Sequence, residues 1–393
     1  MLHLNSGTLS LIGGSRLLGG TLRSDNPFFL CDCSTLEKNP ATQDSQDAPS
    51  KDSDTDRILA AAFSSSGRYF ALTDDRKRLV LYRTEGAWER LSVRWVSRRC
   101  TAITFSPCES YILVADKSGD VFSFSVTNIQ EEGCLQLGHL SMLLDLVVTP
   151  NGRYIITCDR DEKIRVSLWE APHVINAFCL GHTEFVSQLL VLPGLDNVLV
   201  SGSGDGTVRL WKYESGEQIH CWNLRDVTRC ADNKEIQRFA VSLLSCSPGG
   251  KHLAVLCDGV SGIYLCSVAS GPTLTHTQYI SVPYTPVDLD FEDSVSLWVL
   301  SGVKETPIDL YKFGNSTWQL APQDRYMYRL SETIQENWEQ LEGVVSPENR
   351  FSGLYKVVFD NMASYLMKKE ARLQAEKRKL SSHPSTSVKV QKT

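Results

Sequence analysis

The chain has 393 residues, 42% of them hydrophobic and 22% charged, with a formal net charge of −6. Such a composition belongs to a globular protein with a sizeable core, and the negative balance gives no global sign of nucleic-acid binding. No run approaches about 18 consecutive apolar residues, so membrane insertion is not expected.

The first residues, MLHLNSGTLSLIGGSRLLGG, alternate like strands with Gly turns and lack the basic start and unbroken apolar stretch of a secretory signal. The twelve cysteines are scattered, mostly in apolar strand patterns (Cys158, Cys179, Cys246, Cys257, Cys266), with no C-x-x-C pair. Reduced thiols in the cytosol or nucleus fit this usage, and Cys31-x-Cys33 reads as strand chemistry before a metal site. A strand pair at 8–20 and FFLCDC at 28–33 form one unit. An insert at 34–56 follows, expected to be disordered; its stretch 37–56 holds six acids against two lysines.

From there a skeleton recurs: FSSSGRYFAL from 63, FSPCESYILV from 105, VTPNGRYIIT from 148, VLPGLDNVLV from 191, CSPGGKHLAV from 246 and a degenerate FEDSVSLWVL from 291. The intervals of 42, 43, 43, 55 and 45 residues match a four-stranded blade, with one insertion near 225–236. Gly-His pairs open the units GHLSMLLDLVVTPNGRYIITCDRDEKIRVS and GHTEFVS…SGSGDGTVRLW. The pattern predicts an all-β, seven-bladed WD-repeat propeller over 1–323, whose closure pairs an N-terminal strand with the last blade near 285–320. A helical extension is expected over 324–380. It begins with a helix in 331–343 near Ser331, and continues with a helix in 353–380 carrying Leu354, Val358, Met362, Tyr365, Leu366 and Leu373 on one face, docked by its first half. Residues 381–393 are expected to form a disordered basic tail; 367–393 carry eight Lys/Arg against two Glu.

The fifth unit holds a full tetrad, His182, Ser201, Asp205 and Trp211, expected to satisfy one another by hydrogen bonds and to be structural. The fourth has His139, Thr157 and Asp161 at matching offsets, with Ser167 where the Trp would stand. Its turn is densely charged: Asp159, Arg160, Asp161, Glu162, Lys163 and Arg165. A solvated loop is the plain reading. The functional one is a recognition loop in which Arg165 bridges Asp161 or Glu162 and Lys163 points at a partner's carboxylate. Lys117 tips the parallel turn 115–121. Lys368, Lys369, Arg372, Lys377, Arg378 and Lys379 form a basic segment suited to phosphate contact, nuclear localisation or mere solvation. No nucleotide loop, catalytic constellation or metal spacing stands outside the tetrads, so no cofactor and no catalysis are expected.

VADKSGDVFSFSV (114–126), LGHLSMLLDL (137–146), DRDEKIRVS (159–167), FCLGHTEFVS (178–187) and LYKVVFDN (354–361) closely resemble the WD-repeat, non-catalytic subunit of eukaryotic tRNA (guanine-N7-)-methyltransferase. The resemblance implies a heterodimer with a separate catalytic subunit that holds S-adenosylmethionine and forms 7-methylguanosine in the tRNA variable loop. It implies that the propeller stabilises that subunit and helps to position tRNA, in the nucleus and also in the cytoplasm. Lys163 inherits the role of ion-pairing with the catalytic subunit and Arg165 that of bracing the loop. Partner contact by Arg160, Asp161, Glu162 and Lys117, and tRNA contact by the basic segment, follow as much from charge and position. The alternative is a WD-repeat scaffold or ubiquitin-ligase substrate adaptor. Such adaptors often end a blade in Trp-Asp-x-Arg, whereas the best-formed blade here ends Trp211-Lys212-Tyr213.

Overall fold

A computed structural model describes residues 1–38, 55–228, 239–269, 271–341 and 350–356, and in the C-terminal stretch 362, 365–370 and 372–374. Met1–Leu354 form one compact unit and Tyr355–Thr393 a second. Within the first, seven antiparallel sheets of four strands succeed one another, each in simple chain order. The innermost strands are Leu2–Asn5, Ile58–Phe63, Cys100–Phe105, Leu143–Val148, Val186–Val191, Val241–Cys246 and Asp288–Phe291. Each neighbours the next, and the last neighbours the first, so the sheets close into a seven-bladed ring.

The second strand of each blade lies under neighbouring blades on both faces, which is why Tyr154–Asp159 and Val198–Ser203 are buried along their whole length. The core therefore lies between blades: Ile156, Val166 and Cys179 of blade 4 pack with Val186, Leu189, Leu199 and Trp211 of blade 5. Outermost strands such as Ile175–Cys179 face solvent along much of one side.

An innermost strand is a sheet edge whose outward N–H groups need acceptors. At three seams side chains of the adjoining blade supply them. Asp145 accepts from the Leu189 N–H at 2.7 Å, and Gln188 from the Leu244 N–H at 2.6 Å. Ser245 Oγ donates to Asp290 at 2.7 Å, Asp290 accepts from the Leu4 N–H at 2.8 Å, and Asp288 accepts from the Leu2 N–H at 2.8 Å. The last two contacts join blade 7 to blade 1. The expected exchange of a strand across that seam does not occur: both blades keep four strands of their own, and carboxylates close the ring because they satisfy edge N–H groups without extending either sheet.

The helix Arg325–Glu336 seals the same seam, burying Met327, Leu330 and Ile334 against Leu2, Leu11 and Leu18 of blade 1 and Leu300 and Ile308 of blade 7. It begins before Ser331, because Asp324 caps it by accepting from the N–H groups of Tyr326 and Met327 at 3.0 and 3.3 Å. The ends of the 34–56 insert are also ordered, contrary to expectation. Cys33–Thr35 form a 3-10 turn, and buried Arg78 pairs with Asp56 and Asp74, each at 2.6 Å, while reaching the Leu36 carbonyl at 3.3 Å. Two acids and a carbonyl around one buried cation pin both ends; residues 39–54 lie outside the described set.

Burial pushes the Asp290 carboxyl up to about 7, against the hydrogen bonds from Ser245, Leu4 and Phe291. The folded chain thus holds this proton more tightly than the unfolded chain, and ionisation of Asp290 subtracts stability as pH rises from about 4 to about 7. Asp290→Ala orphans the Leu4 N–H and the Ser245 hydroxyl and should cost about 2–4 kcal/mol at pH 5 in urea unfolding. That deficit should shrink towards pH 8, by no more than about 1.4 kcal/mol per pH unit. A deficit that grows with pH would contradict the assignment.

Candidate functional site

Blade 5 carries the complete hydrogen-bonded chain. Trp211 Nε1–H donates to Ser201 Oγ at 2.8 Å, Ser201 Oγ meets His182 Nε2 at 2.8 Å, and His182 Nδ1 meets Asp205 at 2.9 Å. Donation by Trp211 leaves the Ser201 hydroxyl proton for Nε2, which assigns the remaining imidazole proton to Nδ1. Burial holds His182 below its ordinary pKa although Asp205 pulls the other way. Burial would raise the Asp205 carboxyl, but hydrogen bonds from His182, Thr207 and the Thr183 N–H outweigh it and hold it below the carboxylate range. Every polar atom of the chain is spent on another, so these residues stiffen the blade.

Blade 4 uses a different acid. His139 Nε2 meets Thr157 Oγ1 at 2.8 Å, but Nδ1 meets Asp159 at 3.0 Å, in place of the expected Asp161. Asp159 also accepts from the N–H groups of Asp161 and Lys163, at 2.9 and 3.1 Å, and so shapes the turn from its first position. Asp116 does the same in blade 3 for Ser118 and Asp120. The fourth residue of the turn adopts positive φ in blades 2 to 5: Lys77 at 65°, Gly119 at 99°, Glu162 at 58° and Gly206 at 80°. Where Gly would be the easy choice, blade 4 keeps a charged side chain at a cost of about 1 kcal/mol. Freed from the His139 contact, Asp161 is exposed, as are Arg160 and Lys163.

Arg165 does not bridge Asp161 or Glu162; it ties its own strand, behind the turn, to residues 138 and 172. Its Nε donates to Ser167 Oγ at 2.9 Å, Nη1 to the Gly138 carbonyl at 2.9 Å and Nη2 to the Pro172 carbonyl at 3.1 Å. Strand alternation places Arg165 and Ser167 on one face, away from the turn tip. Burial holds the guanidinium below its ordinary pKa. Arg160 is also engaged, Nε donating to the Leu354 carbonyl at 3.3 Å. That segment is anchored where Phe351, 4% exposed, stacks on Phe185 with ring centroids 5.6 Å apart.

The turns of blades 3 and 4 are linked through residues 138–141. The His139 N–H donates to the Gly119 carbonyl at 2.8 Å, and a Cβ on Gly119 would lie 2.5 Å from the His139 carbonyl, so only Gly fits. Leu140, on this link, is fully exposed, and Leu180, immediately before the Gly181-His182 pair, is also exposed. Exposed Lys117 and Lys163 stand on the two linked turns, their ammonium groups without an ion pair among the described residues. Sequence reading overlooked both leucines; the signal was an apolar residue beside each Gly-His pair, where a loop has no core to fill.

Of the basic segment, Lys368, Lys369 and Arg372 are exposed helical residues of the second unit, whereas Lys377, Arg378 and Lys379, like Val358, lie outside the described residues. Met362, Tyr365, Leu366 and Leu373 are exposed. No His/Cys/Asp/Glu group among the described residues could hold a metal; Cys31 Sγ lies 3.2 Å from the Tyr82 hydroxyl. No helix among them is long and apolar enough to cross a membrane.

Arg165→Leu should leave the Gly138 and Pro172 carbonyls and Ser167 Oγ without a donor, costing about 2–4 kcal/mol in urea unfolding. Ser167→Ala, which removes one of the three partners of Arg165, should cost only about 1 kcal/mol. Equal losses for the two would refute that tie.

A model of the tRNA methyltransferase TRM82 WD40 domain matches residues 31–134 and 125–306. The tRNA (guanine-N(7)-)-methyltransferase non-catalytic subunit wdr4 of Xenopus laevis is 60% identical over the whole of both chains. The human non-catalytic subunit WDR4 is 47% identical over 92% of this chain and 88% of its own, and the Drosophila ananassae subunit wuho is 30% identical over 81% and 77%. Among solved structures, a chain of the mitotic checkpoint complex superposes with a TM-score of 0.63 at 13% identity, over 80% of this chain and 87% of that one, which supports the propeller fold alone. With relatives this similar along its whole length, the chain belongs to the family of WD-repeat non-catalytic subunits of tRNA (guanine-N7-)-methyltransferase.

Proposed function

We propose that the rim of blades 3 and 4 grips a catalytic tRNA (guanine-N7-)-methyltransferase subunit in a heterodimer, stabilising it and helping to position tRNA for 7-methylguanosine formation in the variable loop. The supporting observation is the braced turn Asp159–Lys163, which keeps Lys163 exposed without an internal ion pair, beside the exposed Leu140 and the turn of Lys117. A rigid loop loses little entropy on docking, an exposed leucine supplies an apolar anchor, and paired lysines select an acidic partner surface. Arg160, Asp161 and Glu162 set the local charge pattern, while Arg165 acts from within. S-adenosylmethionine belongs on the catalytic subunit. Orientation of two bound substrates governs a methyl transfer, so a rigid flank can raise activity without donating a chemical group. Lys368, Lys369 and Arg372, with the further cations 377–379, supply sequence-independent attraction for tRNA phosphates, and the same cluster suits nuclear import.

The experiment is co-expression with the catalytic subunit, followed by size-exclusion chromatography and a tRNA 7-methylguanosine assay with each subunit alone and together. A one-to-one complex, active only as a pair, is expected; no complex and unchanged activity would return the chain to the scaffold or adaptor class. Lys163→Glu and Leu140→Asp should each weaken the heterodimer by about tenfold or more without moving the melting temperature. Unchanged affinity in both would remove this rim from the interface. Neutralising Lys368, Lys369 and Arg372 together should lower tRNA affinity and flatten its log–log salt dependence by about two to three; an unaltered slope would leave the segment to localisation.

A further inference from the structure

Asp288 opens its innermost strand, Asp145 lies near the start of another, and Phe185 immediately precedes a third, Val186–Val191. Because strands alternate in direction within a blade, the turn Asp159–Lys163, which follows a second strand, lies at this same end of the ring. The segment Arg350–Leu354 sits there too. The Phe351 and Phe185 rings are 11° from parallel, and the Arg350 guanidinium lies 5.1 Å from the Phe351 centroid. Asp288, Asp258 and Asp145, from blades 7, 6 and 4, attract that cation. Phe185 is a fixed platform: it is fully buried, its carbonyl accepts from the Gly204 N–H at 2.9 Å, and a Cβ on Gly204 would lie 2.4 Å from its ring. Beyond Phe351 the chain turns back, the Leu354 N–H donating to the Phe351 carbonyl at 3.0 Å, and the Leu354 carbonyl takes the Arg160 Nε–H at 3.3 Å. A bond of that length cannot order five residues against their conformational entropy, so the buried Phe351 ring is the anchor.

We propose that Phe351 is a positioning residue for partner docking: seated on Phe185, it holds the Leu354 carbonyl against Arg160 and so fixes the pose in which the turn Asp159–Lys163 presents Lys163. The inference rests on the reading of that rim as the contact with the catalytic subunit. Asp159 defines the shape of the turn through the amides of Asp161 and Lys163, and His139 and the Met142 carbonyl tether it from the preceding link. Leu354 adds a tether from a segment almost two hundred residues away in the chain. The two neighbouring turns are adapted to this segment at the same position. In blade 4 the second turn residue is Arg160, which donates to Leu354; in blade 5 it is Gly204, whose missing Cβ makes room for the ring that receives Phe351. A turn held from both sides loses less freedom when a partner docks on it.

Amide hydrogen exchange is followed by mass spectrometry in the free full chain and in Phe351→Ala. The peptide over 158–165 should exchange at least about fivefold faster in the variant, while that over 115–121, the matching turn of blade 3, should not change. Phe351→Leu, which keeps an apolar anchor, should restore most of the protection. Arg160→Met cuts the tether from its other end and should loosen 350–354 as well as 158–165; it decides alone if Phe351→Ala does not fold. Unchanged exchange at 158–165, or equal acceleration throughout the chain, would overturn the proposal. Affinity for the catalytic subunit is then measured. Phe351→Ala should weaken it by about three- to tenfold, and the double variant with Lys163→Glu should lose less than the product of the two single losses, because both act on one contact. Fully multiplicative losses would overturn the positioning role. A loosened turn together with unchanged affinity in Lys163→Glu would uphold the tether and overturn the rim reading instead.

Discussion

The ring holds because side chains satisfy the outward N–H groups of its innermost strands. Seven parallel edges facing a central axis would otherwise leave donors unpaired in places that water reaches poorly, at a cost of about 1–3 kcal/mol each. Asp145, Gln188, Asp288 and Asp290 answer Leu189, Leu244, Leu2 and Leu4 in turn. The solution is expensive for the carboxyls themselves, since burial drives Asp145 and Asp290 alike to about 7. The cost is tolerated because one carboxyl serves several donors: Asp290 takes the Leu4 N–H, the Phe291 N–H and the Ser245 hydroxyl together. The seam between the first and last blades, where chain connectivity gives no help, carries two such acids and the helix Arg325–Glu336.

A closed ring makes its turns rigid, and the turns then differ by which atom does the internal work. In blade 5 the acid at the third turn position, Asp205, satisfies His182; in blade 4 that duty moves two residues back to Asp159. The displacement changes what the turn offers to solvent. Blade 5 buries Gly204 and Gly206 around a committed acid, whereas blade 4 presents Arg160, Asp161, Glu162 and Lys163, with one internal acid holding the turn. Retaining Glu162 at a φ of 58° fits that division, because a glycine there would relax the backbone and discard a side chain.

Much of the architecture was legible because its signals are periodic. Blade number followed from the spacing of the Pro/Gly turns, and the tetrad followed from fixed offsets between Gly-His and Ser-Gly-Ser-Gly-Asp. What escaped was set by three-dimensional convergence. Asp288 and Asp290 read as ordinary strand-end acids, and nothing local announces that they lie against Leu2 and Leu4. Asp324 could be recognised as a cap only once the helix was known to begin at Arg325. Offsets alone favoured Asp161 over Asp159 for His139, since they cannot register that blade 4 has an acid where blade 5 has Ser203. Charge proximity suggested that Arg165 would seek Asp161 or Glu162, whereas strand alternation turned it towards carbonyls that no sequence pattern marks.

Three buried arginines show three ways of compensating a guanidinium in the interior. Arg78 ties the two ends of a long insert to blade 2 through Asp56, Asp74 and the Leu36 carbonyl, so its charge is neutralised and its donors are used. Arg165 has no carboxylate, but Ser167 and two carbonyls occupy all three nitrogens, and the cation is compensated by dipoles. Arg94 has one carbonyl and an aromatic face, which stabilise a guanidinium whose Nε and Nη2 have no hydrogen-bond partner among the described residues.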